Sequence, residues 1–362
     1  MGFKCGIIGL PNVGKTTIFN ALSSAGAASA NYPFTTIEPN SALVAVPDER
    51  LETIARLVQP EKVTPAVIEF VDVAGLVAGA SRGEGLGNQF LSHIRAVDVL
   101  VHALRGFEDP QVAHLTGTID PVRDAGIINT ELILADLELS QRRMAKAQNL
   151  IKAGLKEAKA ELELFARVSS LLNQELPLRA CSFSSEETRI LSAAGLLTIK
   201  PVLYLANLGE AGNRDPFLTS LKQLAEKESA PLITISAKIE EEITSLPLDE
   251  QRDFLKEMGI EESGLKKLIQ GGYRLLGLIT FFTTVGKETR AWTVPQGTTA
   301  YQGAGKIHTD FQKGFVKAEV MAWADFAAQG SEQKVREAGL LHLGGRDYIL
   351  TDGDIIHFRF SP

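Results

Sequence analysis

Two cysteines in 362 residues, Cys5 and Cys181, are too few for a disulfide framework, and neither sits in a C-x-x-C or other metal-ligand spacing. Both read as structural and suit a reducing compartment. The N-terminus has no charged region followed by an apolar run and a small-residue cleavage site, so no signal peptide is expected. Met1-Gly2 opens like a myristoylation signal, but Gly6 stands where Ser or Thr is required. Long hydrophobic runs are missing too: the uncharged stretch between Lys15 and Glu38 carries Asn, Ser, Thr and Pro throughout and cannot span a bilayer. Basic excess is also absent. With 37 Lys and Arg against 44 Asp and Glu, the net charge is −7, which argues against a chain that coats nucleic acid but leaves room for a local basic patch. There is no internal repeat and no low-complexity tail. These absences predict a soluble, cytoplasmic protein with no membrane and no sequence-specific DNA partner.

The composition is that of a globular protein, 44% apolar and 22% charged, and the length calls for two or three domains. In the first half, short apolar runs alternate with helical patterns, the signature of an α/β fold with a parallel sheet. Lys4–Ile8, Val67–Val71, Val99–Ala103, Val202–Ala206 and Leu232–Ile235 read as strands covered on both faces. Between Val99–Ala103 and Val202–Ala206 the texture changes. From Thr130, apolar or neutral residues recur at Leu134, Leu137, Gln141, Met144, Gln148, Ile151, Leu155, Ala158, Leu162 and Phe165. That 3-4 spacing is a coiled-coil seam, with Gln141 and Gln148 as register-fixing polar groups. Gly154 is a candidate hairpin turn; the unbroken phase equally allows one long helix, and an ordinary amphipathic helix is the plainer alternative. After about Ile279, the candidate strands Phe281-Phe282, Ala291–Val294, Ala318–Val320 and Ile355–Phe360 form a small β-rich module.

The run Gly9-Leu10-Pro11-Asn12-Val13-Gly14-Lys15-Thr16 matches G-x-x-x-x-G-K-[ST], follows a strand and opens a helical pattern. Its backbone N–H groups and the helix N-terminus would cradle phosphate. Asn12, Val13, Gly14, Lys15, Thr16 and Thr17 are the expected contacts, with Lys15 on the β- and γ-phosphates and Thr16 on Mg²⁺. Asp72-Val73-Ala74-Gly75 at the end of the second buried run is a D-x-x-G, in which Asp72 holds Mg²⁺ and the Gly75 amide senses the γ-phosphate. Asn207-Leu208-Gly209-Glu210 stands where guanine-specific GTPases carry N-K-x-D, and Ser236-Ala237-Lys238 where they carry the S-A-K loop behind the base. Four elements in order, each at the C-terminal end of a strand, fit the ligand-site rule for open α/β sheets.

With these residues in place the chain resembles the YchF family, the Obg-like ATPases of the translation-factor GTPase class. The resemblance rests on Leu10-Pro11-Asn12-Val13, on Asn31-Tyr32-Pro33-Phe34-Thr35-Thr36-Ile37-Glu38-Pro39-Asn40, on Gly83-Glu84-Gly85-Leu86-Gly87-Asn88, and on Gly305-Lys306-Ile307-His308-Thr309-Asp310-Phe311. It runs from about residue 3 to the last residues. It implies a nucleotide-binding α/β domain (1–128 and 196–278), an inserted helical coiled-coil arm (129–195) and a C-terminal TGS domain of β-grasp type (279–362), the last associated with RNA and ribosome partners.

The resemblance also assigns roles. Thr36 is the family's switch threonine, expected to complete the Mg²⁺ shell; the alternative is a loop threonine that caps a turn. Leu76 stands where many GTPases keep a water-orienting Gln, so slow basal hydrolysis is expected. His114, in the loop Glu108–Pro121, is a candidate to place water, against a loop histidine packed on its domain. His102, within a strand, and His93, on a helix, read as structural. Asn12 inside the phosphate loop is a candidate K⁺ contact, because related GTPases with Asn at this place in the loop often depend on K⁺, which supplies charge where an arginine finger would act. Glu210 is one methylene longer than the usual Asp and unsuited to bidentate recognition of guanine, while Leu208 replaces the usual Lys. Adenine would meet the backbone N–H near Leu208 and the side-chain oxygen of Asn207. The expected activity is therefore an ATP-hydrolysing switch, with GTP weaker, that associates with a ribosome or ribonucleoprotein. The alternatives are a GTP-specific ribosome-associated GTPase, an unselective site with Glu210 turned to solvent, a P-loop small-molecule kinase, and an interaction protein with a degenerate site. The D-x-x-G, N-x-x-E and S-A-K series argues against the kinase. Lys15, Thr16 and Asp72 argue against the degenerate site.

Overall fold

The computed structural model describes residues 3–29, 40–73, 85–112, 117–209 and 217–361. The chain forms two compact units, Met1–Val44 with Glu69–Gly272, and Ala45–Ile68 with Tyr273–Pro362.

In the first unit, β1 (Lys4–Ile8), β2 (Ser41–Ala45), β4 (Val67–Asp72), β5 (Val99–Gly106), β6 (Val202–Leu208) and β7 (Leu232–Ile235) form a sheet in the order β2-β4-β1-β5-β6-β7. The pairs β1–β4, β1–β5, β5–β6 and β6–β7 are parallel. Every position of β5 and β6 is buried, as their near-continuous apolar runs predict. The short edge strand β2 was not predicted, because its half-exposed alternation looks like loop. No described helix is long and apolar enough to cross a membrane.

The inserted arm is a helical hairpin. Asp120 caps the helix Pro121–Lys152 by accepting from Arg123 N at 3.0 Å, with Pro121 in the first turn. Gly154, at φ 92°, makes the turn into the helix Ala158–Leu172, which settles the choice between a hairpin and one long helix. The seam differs from expectation by one residue: Gln141 and Gln148 are exposed, whereas Ser140 and Ala147 are buried. The reason is steric. Small side chains let the helices approach, and Ser140 Oγ donates to Phe165 O at 3.0 Å and lies 2.8 Å from Ser169 Oγ. Ile133, Leu164, Phe165, Val168, Leu172, Leu178, Leu191 and Leu196 fill the interior.

The arm is fastened at its root by polar groups. Asp136 accepts from Leu197 N, Thr198 N and Thr198 Oγ1 at 2.8, 2.8 and 2.6 Å. Arg179 donates through Nε to Glu228 at 2.8 Å and through Nη2 to Asn129 at 2.7 Å, while the Tyr204 hydroxyl on β6 donates to Glu228 at 2.9 Å. His102 on β5 lies beside Tyr204, ring centroids 5.6 Å apart, and neither of its ring nitrogens has a hydrogen-bond partner among the described residues. Burial, with the nearby Arg179 charge second, lowers its pKa to about 3. A depressed folded-state pKa means that the unfolded chain takes up the proton first. Stability is therefore complete above about pH 6.5 and is lost as pH falls toward 3, by roughly 2 kcal/mol from this residue at pH 5. Urea titrations of wild type and His102→Leu across that range should show the steeper acid loss in wild type; parallel curves would contradict it.

The second unit is built on β3 (Lys62–Thr64), β8 (Leu278–Val285), β9 (Glu288–Pro295), β10 (Phe315–Ala322), β11 (His342–Gly344) and β12 (Asp354–Phe360), in the order β11-β10-β12-β8-β9-β3. β8 and β9 form a hairpin, β12 lies parallel to β8, and the helix Ala300–Ile307 contributes Ala300 and Ala304 to a core with Phe281, Phe315, Ile356 and Phe358. This is the expected β-grasp arrangement. Residues 45–68 cluster with 273–362. β3 pairs in parallel with the edge of β9, and Thr64 donates to the Glu288 carboxylate. Arg50 bridges Asp48 and Asp352, at 2.8 Å to each.

Candidate nucleotide-binding site

Parallel pairing brings the C-terminal ends of β1, β4, β5, β6 and β7 to one edge of the sheet, where backbone N–H groups are left for a ligand. The loop after β1 turns through left-handed conformations at Asn12 (φ 63°) and Gly14 (φ 90°). Gly14 is fixed twice over: besides its positive φ, a Cβ there would lie 2.2 Å from Asn207 Nδ2. Ile18 N then accepts its place in the helix Lys15–Ser29 by donating to Gly14 O at 3.0 Å. Val13 is buried, Thr16 is exposed on the first turn, and the Lys15 ammonium is ion-paired with the Asp72 carboxylate at the end of β4.

Beside this loop lies a cavity of about 500 Å³ lined in part by Gly14, Thr17, Phe107, Asn207, Leu208 and Ala237. Phe107 and Leu208 supply apolar wall, while Glu108, Asp109, Ser236, Lys238 and Glu241 supply polar lining. Asn207, 4% exposed, is spent on holding loops together. Its Nδ2 donates to Val13 O at 3.0 Å, and its Oδ1 accepts from Ala237 N at 2.9 Å. The oxygen expected to meet the adenine 6-amino group thus already has a backbone partner. The amide joins the phosphate loop to the loop after β7.

A family model described as a 50S ribosome-binding GTPase matches residues 4–135, and the model of the YchF GTPase C-terminal region, described as a protein of unknown function, matches residues 278–361. The chain is 49% identical to a ribosome-binding ATPase YchF of Pasteurella multocida over the whole of both chains. It belongs to the YchF family. The Bacillus subtilis ribosome-binding ATPase YchF is 46% identical, again over both full lengths. The solved structure of the Schizosaccharomyces pombe YchF GTPase superposes with a TM-score of 0.90 at 37% identity, covering 99% of this chain and 98% of that one.

Of the residues singled out from sequence, this YchF-family chain brings Gly14, Thr17, Asn207, Leu208, Ser236 and Ala237 around one cavity, with Asp72 against Lys15. Thr36, Gly75, Leu76, His114 and Glu210 lie outside the described residues. Phe107, Glu108, Asp109 and Glu241 were not anticipated. A signal for the first three existed: they follow a fully buried parallel strand, and every such strand end is a candidate for ligand contact.

Proposed function

We propose that this chain is a P-loop nucleoside triphosphatase that hydrolyses ATP in preference to GTP and couples its nucleotide state to association with the ribosome. The observation that carries the reading is the juxtaposition of Lys15 and Asp72 at the phosphate loop with a cavity walled by Phe107 and Leu208. Two apolar surfaces suit a planar base, and neither supplies the lysine stem or carboxylate that guanine specificity uses. The bacterial relatives are named ribosome-binding ATPases, which supports the same activity and partner. GTP is the competing substrate, because the Schizosaccharomyces pombe relative is described as a GTPase. The leucine at 208 in place of a lysine, and the glutamate at 210 in place of the shorter aspartate, favour adenine.

Thr16 and Asp72 offer a hydroxyl and a carboxylate, hard oxygen donors of the kind Mg²⁺ takes, and Thr36 is the proposed third ligand. When bound, Mg²⁺ would neutralise charge on the β- and γ-phosphates. Asn12 is the proposed K⁺ contact, and His114 the proposed water-placing group where Leu76 cannot act. The proposed domains are 1–128 with 196–278, 129–195 and 279–362, with 45–68 the segment of the first that clusters with the C-terminal residues, and with the arm and the C-terminal domain meeting the ribosome. A cytoplasmic location is proposed with that partner.

Competition against a labelled ATP analogue tests the base. GTP should displace it roughly 10²-fold less well, because a mismatched hydrogen-bond pattern leaves buried polar groups unpaired. Equal displacement would sink the preference. Co-sedimentation of the full chain with ribosomes should differ between a non-hydrolysable ATP analogue and ADP; identical binding in both states would reject the coupling.

A further inference from the structure

We propose that Arg105 is a positioning residue that sets the base-side wall of the nucleotide cavity, an inference that rests on the reading of Phe107 and Leu208 as base contacts. Arg105 is the penultimate residue of β5 and only 2% exposed. Burying a guanidinium is expensive unless its donors are used, and three of its bonds run to the backbone of the next seven residues. Nε donates to Phe107 O at 3.1 Å, and Nη2 donates to Asp109 O at 3.4 Å and to Val112 O at 3.0 Å. Its guanidinium carbon also stands 4.6 Å from the centroid of the Phe107 ring. The planar fork therefore gathers three carbonyls two, four and seven residues further along the chain, which an ammonium on a flexible stem cannot reproduce. The gathered segment includes Phe107, Glu108 and Asp109, all of which line the cavity. Strand register ties this wall to the facing one, since Arg105 pairs with Asn207 and Gly106 with Leu208. One buried cation thus holds the aromatic wall beside the leucine wall, through three bonds that run to residues 107–112 rather than to the phosphate loop.

The test uses the full chain carrying Arg105→Gln or Arg105→Lys, titrated with ATP, GTP and inorganic tripolyphosphate. Arg105→Gln should weaken ATP about 10-fold or more while tripolyphosphate changes less than about 2-fold, the pattern of lost positioning on the base side alone. Arg105→Lys should fall between wild type and Arg105→Gln, and carries the test if the glutamine variant does not fold. Phe107→Ala should cost much less in the Arg105→Gln background than alone, as coupled residues do. Parallel loss of ATP and tripolyphosphate, unchanged ATP affinity, or equal cost of Phe107→Ala in both backgrounds would each overturn the proposal. Wild type binding ATP and GTP alike would fail the base preference instead, while the contrast of either nucleotide with tripolyphosphate would still report on Arg105.

Discussion

Replacing Lys15 with alanine should abolish tight triphosphate binding and leave the fold standing. The side chain stands at the first helical residue after the phosphate loop, where its described ion-pair partner is the Asp72 carboxylate. A triphosphate arriving at this loop brings several negative charges to that ammonium, and charge-assisted hydrogen bonds are about twice as strong as neutral ones. Losing them in a partly enclosed site corresponds to roughly 10²-fold or more in affinity. The variant's urea midpoint should stay close to wild type, since the Lys15–Asp72 ion pair keeps some exposure to solvent. Titration with a fluorescent ATP analogue decides the matter. Unchanged affinity would remove the basis for reading the site as a triphosphatase.

The second large effect is expected far from any phosphate. Glu228→Ala should destabilise the chain by about 3–5 kcal/mol, because it leaves Arg179 buried without its carboxylate. The two side chains are 5% and 6% exposed, and the same carboxylate receives the Tyr204 hydroxyl and is reached by Asn129 at 3.3 Å. Removing both charges together, as Glu228→Ala with Arg179→Met, should recover much of the loss, since a desolvated pair costs almost as much as it returns. Urea denaturation followed by circular dichroism measures both. A loss of less than about 1 kcal/mol for the single variant would show that water already compensates the arginine.

What could be read beforehand follows from how locally each feature is encoded. β1 begins and ends where its run was read, because a strand buried on both faces writes its burial into consecutive residues, and the half-buried β7 was legible from its unbroken apolar and β-branched run. The edge strands β2, β3 and β11 carry no such run, being short and partly exposed. The phosphate loop was legible because its glycines and lysine are demanded by backbone shape and phosphate charge at fixed spacing. Phe107 was not, since an aromatic side chain carries no chemistry that marks a cavity wall until the neighbouring strands are placed. Asn207 was found by position, but its hydrogen-bond partners depend on loops about 30 and 194 residues away in the chain. The arm's periodicity was visible, yet its phase slipped by one because Gln was accepted as a seam residue where Ser140 and Ala147 pack. Least legible was the membership of residues 45–68, which is decided by strands that come much later.

That late partnership has a cost in time. Lys62 pairs with Glu288, 226 residues further along, so β3 leaves the ribosome long before the strand it joins exists. At about 5–20 residues per second, the interval is roughly 10–45 s for each new molecule. During that interval the nascent segment holds an unsatisfied strand edge, with Val63 among its side chains. Its lysine and glutamate, Lys62 and Glu61, and the proline beside them, Pro60, are the residues that discourage edge-to-edge association until β9 is made.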